Sequence, residues 1–250
     1  MDEEKSSKSA VGVRIADDFR SNLIVDRYDP VFSTMRASKL KHLRSENSED
    51  VVTWNAFRSL RHIHPSAWLP PLWQRAFPDL PVPDDQDAVI HLWPEVDPPW
   101  ALLQDGDEGA SEIDVLIEAP TWVWFIEVKF RSDISTGTTT RPERDQVLRN
   151  IDVGSYLSGT RRFVFSLLIA SRERSKLGVA KVEEYRELPR VRELLAGHRP
   201  DGLTNLEAVG LLNWTDVAAV LVELADSAPR EDERPFARRA AEWLEGKGLV

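Results

Sequence analysis

The sequence contains no cysteine among its 250 residues. This absence excludes disulfide bonds, zinc–thiolate sites and cysteine-ligated iron–sulfur clusters. No apolar run approaches the roughly 18 residues needed to span a bilayer. The first ten residues, MDEEKSSKSA, are polar and lack the apolar segment of a signal peptide. We therefore expect a cytoplasmic protein without a membrane partner.

Signatures of several enzyme classes are also missing. The patterns GxSxG and GxxxxGK[ST] do not occur, so α/β-hydrolase and P-loop functions have no support. The five histidines suggest no triad with a nucleophilic serine. His62 and His64 form an HxH pair, but residues two apart on a helix do not face each other. We do not expect a histidine-based metal site.

The charge composition limits how the protein could meet a nucleic acid. The formal net charge is -10, which argues against coating nucleic acid by bulk electrostatics. This charge is still compatible with an enzyme that binds a phosphate backbone through a local basic patch. Clustered acids also suit a site for a divalent metal.

The middle of the chain predicts a helix, three strands, a helix and a strand. The predicted segments are a helix over 48–63, a strand over 88–96, a hairpin over 112–130, a helix over 143–157 and a strand over 161–171. This order predicts an α/β fold with a mixed sheet flanked by helices. We expect a polar lead-in over 1–47, a core over 48–176 and a helical extension over 177–250, with 205–225 among its helices.

The hairpin brings charged residues into an apolar setting. TWVWFIEVKF (121–130) reads as a buried strand, and Glu127 and Lys129 share one of its faces because side chains alternate. If Pro120 and Thr121 form a two-residue turn, Asp114 on the preceding strand lies opposite Glu127. A shift of one residue would move Asp114 to the other face, so the prediction depends on the turn.

Two carboxylates and an ammonium at one place suggest a metal site. Like charges directly opposite each other are destabilising unless something neutralises them, and a divalent cation does so. Mg²⁺ needs only one or two carboxylates besides waters and substrate phosphate. A lysine beside the metal can orient the attacking water or stabilise the phosphate. The parts suit phosphodiester hydrolysis, while a structural salt bridge is the alternative.

Asp114 in SEIDVLI with Glu127 and Lys129 in FIEVKF resembles the PD-(D/E)XK nuclease superfamily. The order helix, three strands, helix, strand over roughly 48–171 is similar to its restriction-endonuclease-like α-β-β-β-α-β core. The proline that precedes the first acid in that family is replaced here by Ile113.

The resemblance implies further site residues. Glu49 would be the metal-binding acid on the first helix, with Glu46 and Asp50 as alternatives, although Glu49 could simply favour the helix dipole. The Val128 carbonyl would complete the metal site. Gln146 would assist from the helix after the third strand, unless it is an ordinary exposed glutamine.

Other polar residues on the helix after the third strand are also candidates for the site. Asn150, one turn beyond Gln146, would lie on a similar face. Arg144 and Arg149 could contact phosphates, or they could be ordinary solvated residues.

The expected function is a metal-dependent nuclease that uses Mg²⁺, with Mn²⁺ as a substitute, and acts on DNA. Restriction, phage defence and repair are all open as settings. The alternative is a catalytically inactive module of the same fold that binds nucleic acid or protein. The C-terminal helices could also hold a homodimer or dock a partner protein.

Overall fold

The computed structural model describes residues 6–8, 13–85, 87–104, 108–137 and 144–249. The strands within these ranges are β1 (Ser6–Lys8), β2 (Arg14–Ala16), β3 (Val89–Leu92), β4 (Glu95–Val96), β5 (Ser111–Glu112), β6 (Val115–Glu118), β7 (Trp122–Lys129), β8 (Arg162–Ile169) and β9 (Leu206–Asn213). The main sheet has the strand order β3-β6-β7-β8-β9. Its β3, β6 and β7 are antiparallel neighbours, whereas β7, β8 and β9 are parallel. The predicted mixed α/β class is confirmed.

Helices cover both faces of this sheet. In the described ranges they are α1 (Ala37–Leu43), α2 (Glu49–Thr53), α3 (Pro65–Ala76), α4 (Trp100–Gln104), α5 (Gln146–Ser158), α6 (Lys176–Tyr185), α7 (Leu188–Leu195), α8 (Trp214–Ser227) and α9 (Arg234–Glu245). One face packs against α2, α3, α8 and α9, and the other against α5, α6 and α7. The helix at α2 continues through a π-helical turn over Trp54–Arg58. None of the helices in the described part of the chain is long and apolar enough to cross a membrane.

The central strand β7 is buried along its whole length. It is held between β6 on one side and β8 on the other, so both of its edges are paired. Most tryptophans support this core, and six of them are almost fully buried: Trp54, Trp68, Trp73, Trp122, Trp124 and Trp214. The strand that carries Glu127 and Lys129 therefore lies in the closely packed core of the protein.

The prediction of a helix over 205–225 is wrong at residues 206–213. These residues form β9, and helix α8 begins only after Asn213, where Asn213 and Asp216 form a capping box. A short apolar run such as LEAVGLLN fits a buried strand or a buried helix equally well. A Cβ on Gly210 would lie 2.5 Å from the Ala76 carbonyl oxygen, so the strand approaches α3 closely there. Part of the segment beyond residue 176 thus belongs to the sheet.

The helices of the C-terminal region are confirmed, and their apolar faces lie inside the protein. Val217, Val220 and Leu221 of α8 are fully buried against the sheet and its neighbouring helices. Leu244 of α9 is buried in the same cluster. These side chains therefore pack within the chain, as their helical spacing suggested.

The segment predicted as a polar lead-in contributes to the core where the structure describes it. Phe19, Leu23, Phe32 and Leu43 are buried in a cluster with Trp54 of the π-helical turn. Residues 1–5 and 9–12 lie outside the described ranges. The packed structure therefore begins well before residue 48.

The strand predicted over 88–96 is interrupted. Trp93 has a φ of 57°, a left-handed conformation that ends β3, and β4 then pairs with β5 instead of β6. The helix predicted over 143–157 begins at Gln146, because Asp145 caps it by accepting a hydrogen bond from the Leu148 N–H. Between β7 and α5 the structure describes the chain as far as residue 137 and again from residue 144.

Candidate active site

The register of the β6–β7 hairpin decides whether the predicted site can form. Val115 pairs with Ile126 and Glu118 with Val123, and the Ala119 N–H donates to the Trp122 carbonyl over 3.0 Å. The two-residue turn at Pro120 and Thr121 is therefore confirmed. The same register places Asp114, one residue before β6, opposite Glu127. The Asp114 Oδ2 accepts a hydrogen bond of 2.8 Å from the Val128 N–H.

Glu127 and Lys129 lie side by side at the end of β7. Their exposures are only 2% and 7%, so these two charges are held inside the protein. The Lys129 Nζ donates to Glu127 Oε1 over 2.7 Å. Residues two apart on a strand share a face, and Glu127 and Lys129 share theirs with Val123 and Phe125, which pack in the cluster that contains α5. The pair is thus fixed by the strand and by its own ion pair.

Helix α2 contributes a third carboxylate. Glu49 Oε1 lies 3.8 Å from Lys129 Nζ, and Oε2 accepts a 2.6 Å hydrogen bond from the Phe130 N–H. The Ser132 hydroxyl lies 3.2 Å from the same oxygen. The Glu49 side chain therefore contacts the end of β7. An acid that only stabilised the helix dipole would not need this contact.

The two alternative acids near Glu49 have other partners. Asp50 forms an ion pair with Lys39 over 3.3 Å. Glu46 Oε1 accepts a hydrogen bond of 2.9 Å from the Arg14 N–H. Of the three acids considered for the first helix, the structure brings Glu49 to Lys129.

Helix α5 contacts the Glu127 carboxylate directly. The Gln146 side-chain amide donates to Glu127 Oε1, and the Asn150 amide donates to Oε2, each over 2.6 Å. The two amides lie one helical turn apart and share a face, as the spacing predicts. The Gln146 Oε1 also accepts a bond of 3.3 Å from the Ser135 N–H. Gln146 is therefore not an ordinary exposed glutamine.

The electrostatics of this cluster are unbalanced. Burial raises the pKa of Asp114 well above its usual range, and the nearby Glu127 carboxylate raises it further. Burial also raises the pKa of Glu49, although Lys129 opposes that shift. Burial alone would lower the pKa of the Lys129 ammonium, but the carboxylates of Glu127, Glu49 and Asp114 outweigh it and raise the pKa. Among the described residues here, three acids surround one base.

These carboxylates fit a divalent cation better than they fit one another. A raised pKa on Asp114 means that its negative charge is not fully compensated in this arrangement. Asp114, Glu127 and Glu49 supply hard oxygen donors, and Mg²⁺ needs only one or two carboxylates. Across the described ranges, however, no group of three or more His, Asp or Glu side chains is already placed to hold a metal. Lys129 occupies the space between them, and the Val128 carbonyl stays a predicted ligand.

Other predicted candidates lie away from this cluster. Arg144 is buried in an ion pair of 2.9 Å with Asp152, so it is not free to contact phosphate. The Arg149 Nε donates to the Ser111 hydroxyl over 2.9 Å.

The two histidines of the HxH pair act separately in the structure. His62 Nε2 lies 2.9 Å from Asp26 Oδ2, and its ring stacks on Phe236. His64 caps helix α3 by accepting a hydrogen bond from the Ser66 N–H. Neither contact indicates a metal site.

Two contacts in the cluster had no signal in the sequence. The Phe130 N–H and the Ser132 hydroxyl both bind Glu49, yet one is a backbone group and the other a loop serine. Neither residue belongs to a recognisable pattern. Only the three-dimensional meeting of α2 with the end of β7 identifies them.

Comparisons with known proteins add little. No family model and no curated protein matches the chain. A crystal structure of a protein of unknown function, AF1548, is 16% identical and covers 73% of this chain and 96% of its own. The TM-score of 0.22 is too low for this likeness to support an argument about fold or function.

Proposed function

We propose that the protein is a metal-dependent nuclease of the restriction-endonuclease-like fold that hydrolyses phosphodiester bonds in DNA. The observation on which this proposal rests is the meeting of Asp114, Glu127 and Glu49 around Lys129. Three elements bring these residues together: the start of β6, the end of β7 and the start of helix α2. A chance salt bridge would need only two of the four residues.

The order of the elements supports the same proposal. Helix α2 is followed by a second helix, α3, then by three antiparallel strands, β3, β6 and β7, then by α5 and by β8 parallel to β7. This succession is similar to the α-β-β-β-α-β core of the PD-(D/E)XK superfamily. The short elements β4, α4 and β5 are inserted between β3 and β6.

The residues of the cluster have distinct proposed roles. Asp114 and Glu127 would hold Mg²⁺, with Glu49 beside them. When bound, the metal would neutralise charge on the scissile phosphate and make a nearby water more acidic. Because its pKa is raised, Lys129 stays protonated, so it donates hydrogen bonds to the phosphate or the water instead of removing a proton. Gln146 and Asn150 orient the Glu127 carboxylate.

Cleavage assays test this proposal. Plasmid and single-stranded DNA are incubated with the wild type in Mg²⁺ and in EDTA, and with the Lys129→Ala variant in Mg²⁺. We expect cleavage only by the wild type in Mg²⁺. A Lys176→Ala variant, which removes an exposed lysine on α6, is the matched control and should cleave normally. Equal cleavage in Mg²⁺ and EDTA, or by Lys129→Ala and wild type, would overturn the assignment.

A catalytically inactive binding module is the second candidate, and one observation favours it. Both oxygens of Glu127 already accept hydrogen bonds, from Lys129 and Gln146 on one side and from Asn150 on the other. A metal would have to displace part of this set. Calorimetry separates the two candidates, because a nuclease should take up Mg²⁺ or Mn²⁺ in a manner that depends on Asp114. A binding module should show no such uptake.

A further inference from the structure

A groove lies directly beside the candidate active site. Its volume is about 490 Å³, and it runs between β2, the end of α1 and the start of α2. Its lining residues include Lys41, His42, Arg44, Ser48 and Glu49. Glu49 belongs both to this groove and to the cluster around Lys129. A ligand lying in the groove would therefore lie beside Glu49.

The groove contains cationic side chains in a protein that is acidic overall. Lys41, His42 and Arg44 line it together with Glu49 and Asp50, whereas the whole chain has a net charge of -10. Arg44 lies 3.8 Å from Asp17. Lys39 is paired with Asp50 and Glu112. Lys41 is exposed and has no carboxylate within ion-pair distance in the described part of the chain. Its charge is available to an anion from outside.

More positive charge gathers on the other side of Glu49. Arg131 is exposed and directly follows Phe130, whose N–H binds Glu49. The Lys247 Nζ donates to the Glu46 carbonyl over 2.8 Å. Burial lowers the pKa of Lys247, and the nearby cationic Arg131 and Arg14 lower it further, against the pull of Glu46. Cations that disfavour one another in this way would be stabilised by a bound polyanion.

We propose that these basic side chains bind the phosphodiester backbone of the DNA strand that flanks the phosphate held at Lys129. This inference rests on the proposed function and adds the path of the substrate. Lys41 and Arg131 would neutralise phosphates on either side of Glu49. The net negative charge of the protein would repel DNA elsewhere, so these cations would steer the strand to the groove.

Salt-dependent binding tests the groove independently of cleavage. A fluorescent single-stranded DNA is titrated with the full chain in EDTA at several salt concentrations. Each lost phosphate contact should reduce the slope of log K against log salt by about 0.7. We expect the Lys41→Ala/Arg131→Ala variant to lose about 1.4 in slope. A Lys176→Ala/Arg186→Ala variant removes two exposed cations from α6 and its C-cap, so its slope should equal that of the wild type.

The outcomes separate the groove from the nuclease. Equal slopes for the two double variants, or no binding by the wild type, would overturn the proposal that DNA binds in the groove. If Mg²⁺-dependent cleavage persists in that case, the proposed function stands without it. If the Lys41→Ala/Arg131→Ala variant has a reduced slope but the wild type cleaves no DNA, the groove binds DNA and the proposed nuclease function is rejected. The same titration is repeated with an RNA strand of the same sequence. If RNA binds through the groove and DNA does not, the assignment of the substrate as DNA is overturned.

Discussion

Helix α5 takes part in two buried clusters of charged residues, and their charges are balanced differently. In the first, Glu127 accepts from Gln146 and Asn150 of α5, and Lys129 is the cation nearest to it. In the second, Asp152 of α5 accepts from Arg144 over 2.9 Å and from Arg199 over 2.7 Å, and lies 2.7 Å from His198 Nε2. One cluster has an excess of acid, and the other is compensated.

The pKa shifts express this difference. Burial would raise the pKa of Asp152, but its hydrogen bond with His198 and the nearby Arg144 charge outweigh burial and lower it. At Asp114 burial and the charge of Glu127 act together and raise the pKa. A structural ion cluster resembles the one around Asp152. The cluster of Asp114 and Glu127 shows the pattern expected where an outside cation completes the site.

The largest expected effect comes from Glu127→Gln. The change keeps the shape of the side chain but removes the charge that would hold Mg²⁺, so we expect Mg²⁺-dependent cleavage to fall about 10³-fold or more. Initial rates on plasmid DNA measure the effect. Circular dichroism spectra should confirm that the variant is folded. A folded variant with wild-type rates would show that the acid-rich cluster is structural, like that around Asp152.

The same carboxylate-to-amide change at Asp152 should act on stability. Arg144 and Arg199 would remain buried with one negative charge fewer, and breaking a buried pair typically costs about 3–5 kcal/mol. Urea unfolding gives this value. Asp201→Asn is a matched control, since Asp201 binds Arg199 from a half-exposed position and should cost no more than about 1 kcal/mol. Similar costs for both variants would contradict the distinction.

Removing the amides that hold Glu127 should have a smaller effect on activity. Gln146→Ala and Asn150→Ala each delete one hydrogen bond to its carboxylate, and residues that orient a metal ligand typically matter by about 10-fold. Cleavage rates measured over a range of Mg²⁺ concentrations test this expectation. Gln74→Ala, at an exposed position on α3, should have no effect. Unchanged Mg²⁺ dependence in both α5 variants would remove these residues from the site.

The smallest effect, with the opposite sign, is expected for Asp114→Asn. The folded-state pKa of Asp114 is raised, so its ionised form destabilises the metal-free protein at neutral pH. The variant should gain about 1 kcal/mol, or about 2–4 °C in Tm. The gain should vanish as pH falls through the raised pKa toward the ordinary value, because the wild-type carboxyl is then protonated.

Thermal unfolding in EDTA across this pH range measures the gain. Mg²⁺ should stabilise the wild type but not the variant. A variant that is less stable than wild type at neutral pH would place Asp114 in the compensated class.

The sequence predicts the centre of the molecule better than its ends. The alternation around Glu127 and the Pro120–Thr121 turn fix the hairpin, since one register buries the apolar residues. The spacing of Gln146 and Asn150 likewise predicts their common face. β9 could not be distinguished from a helix, because an apolar run that is buried has no periodicity that decides between them. The balance of charge around Asp114 depends on helix α2, which approaches from far away in the chain.

The position of β9 at the edge of the main sheet also limits how the molecule can be shortened. A chain reduced to residues 48–176 would lack this strand, and β8 would expose the backbone N–H and C=O groups of Phe163 through Ile169, which now pair with β9. An unpaired apolar edge of this kind tends to pair with other chains, so such a fragment should aggregate. The β6–β7 hairpin therefore depends on the rest of the main sheet, which extends through Asn213 at the end of β9.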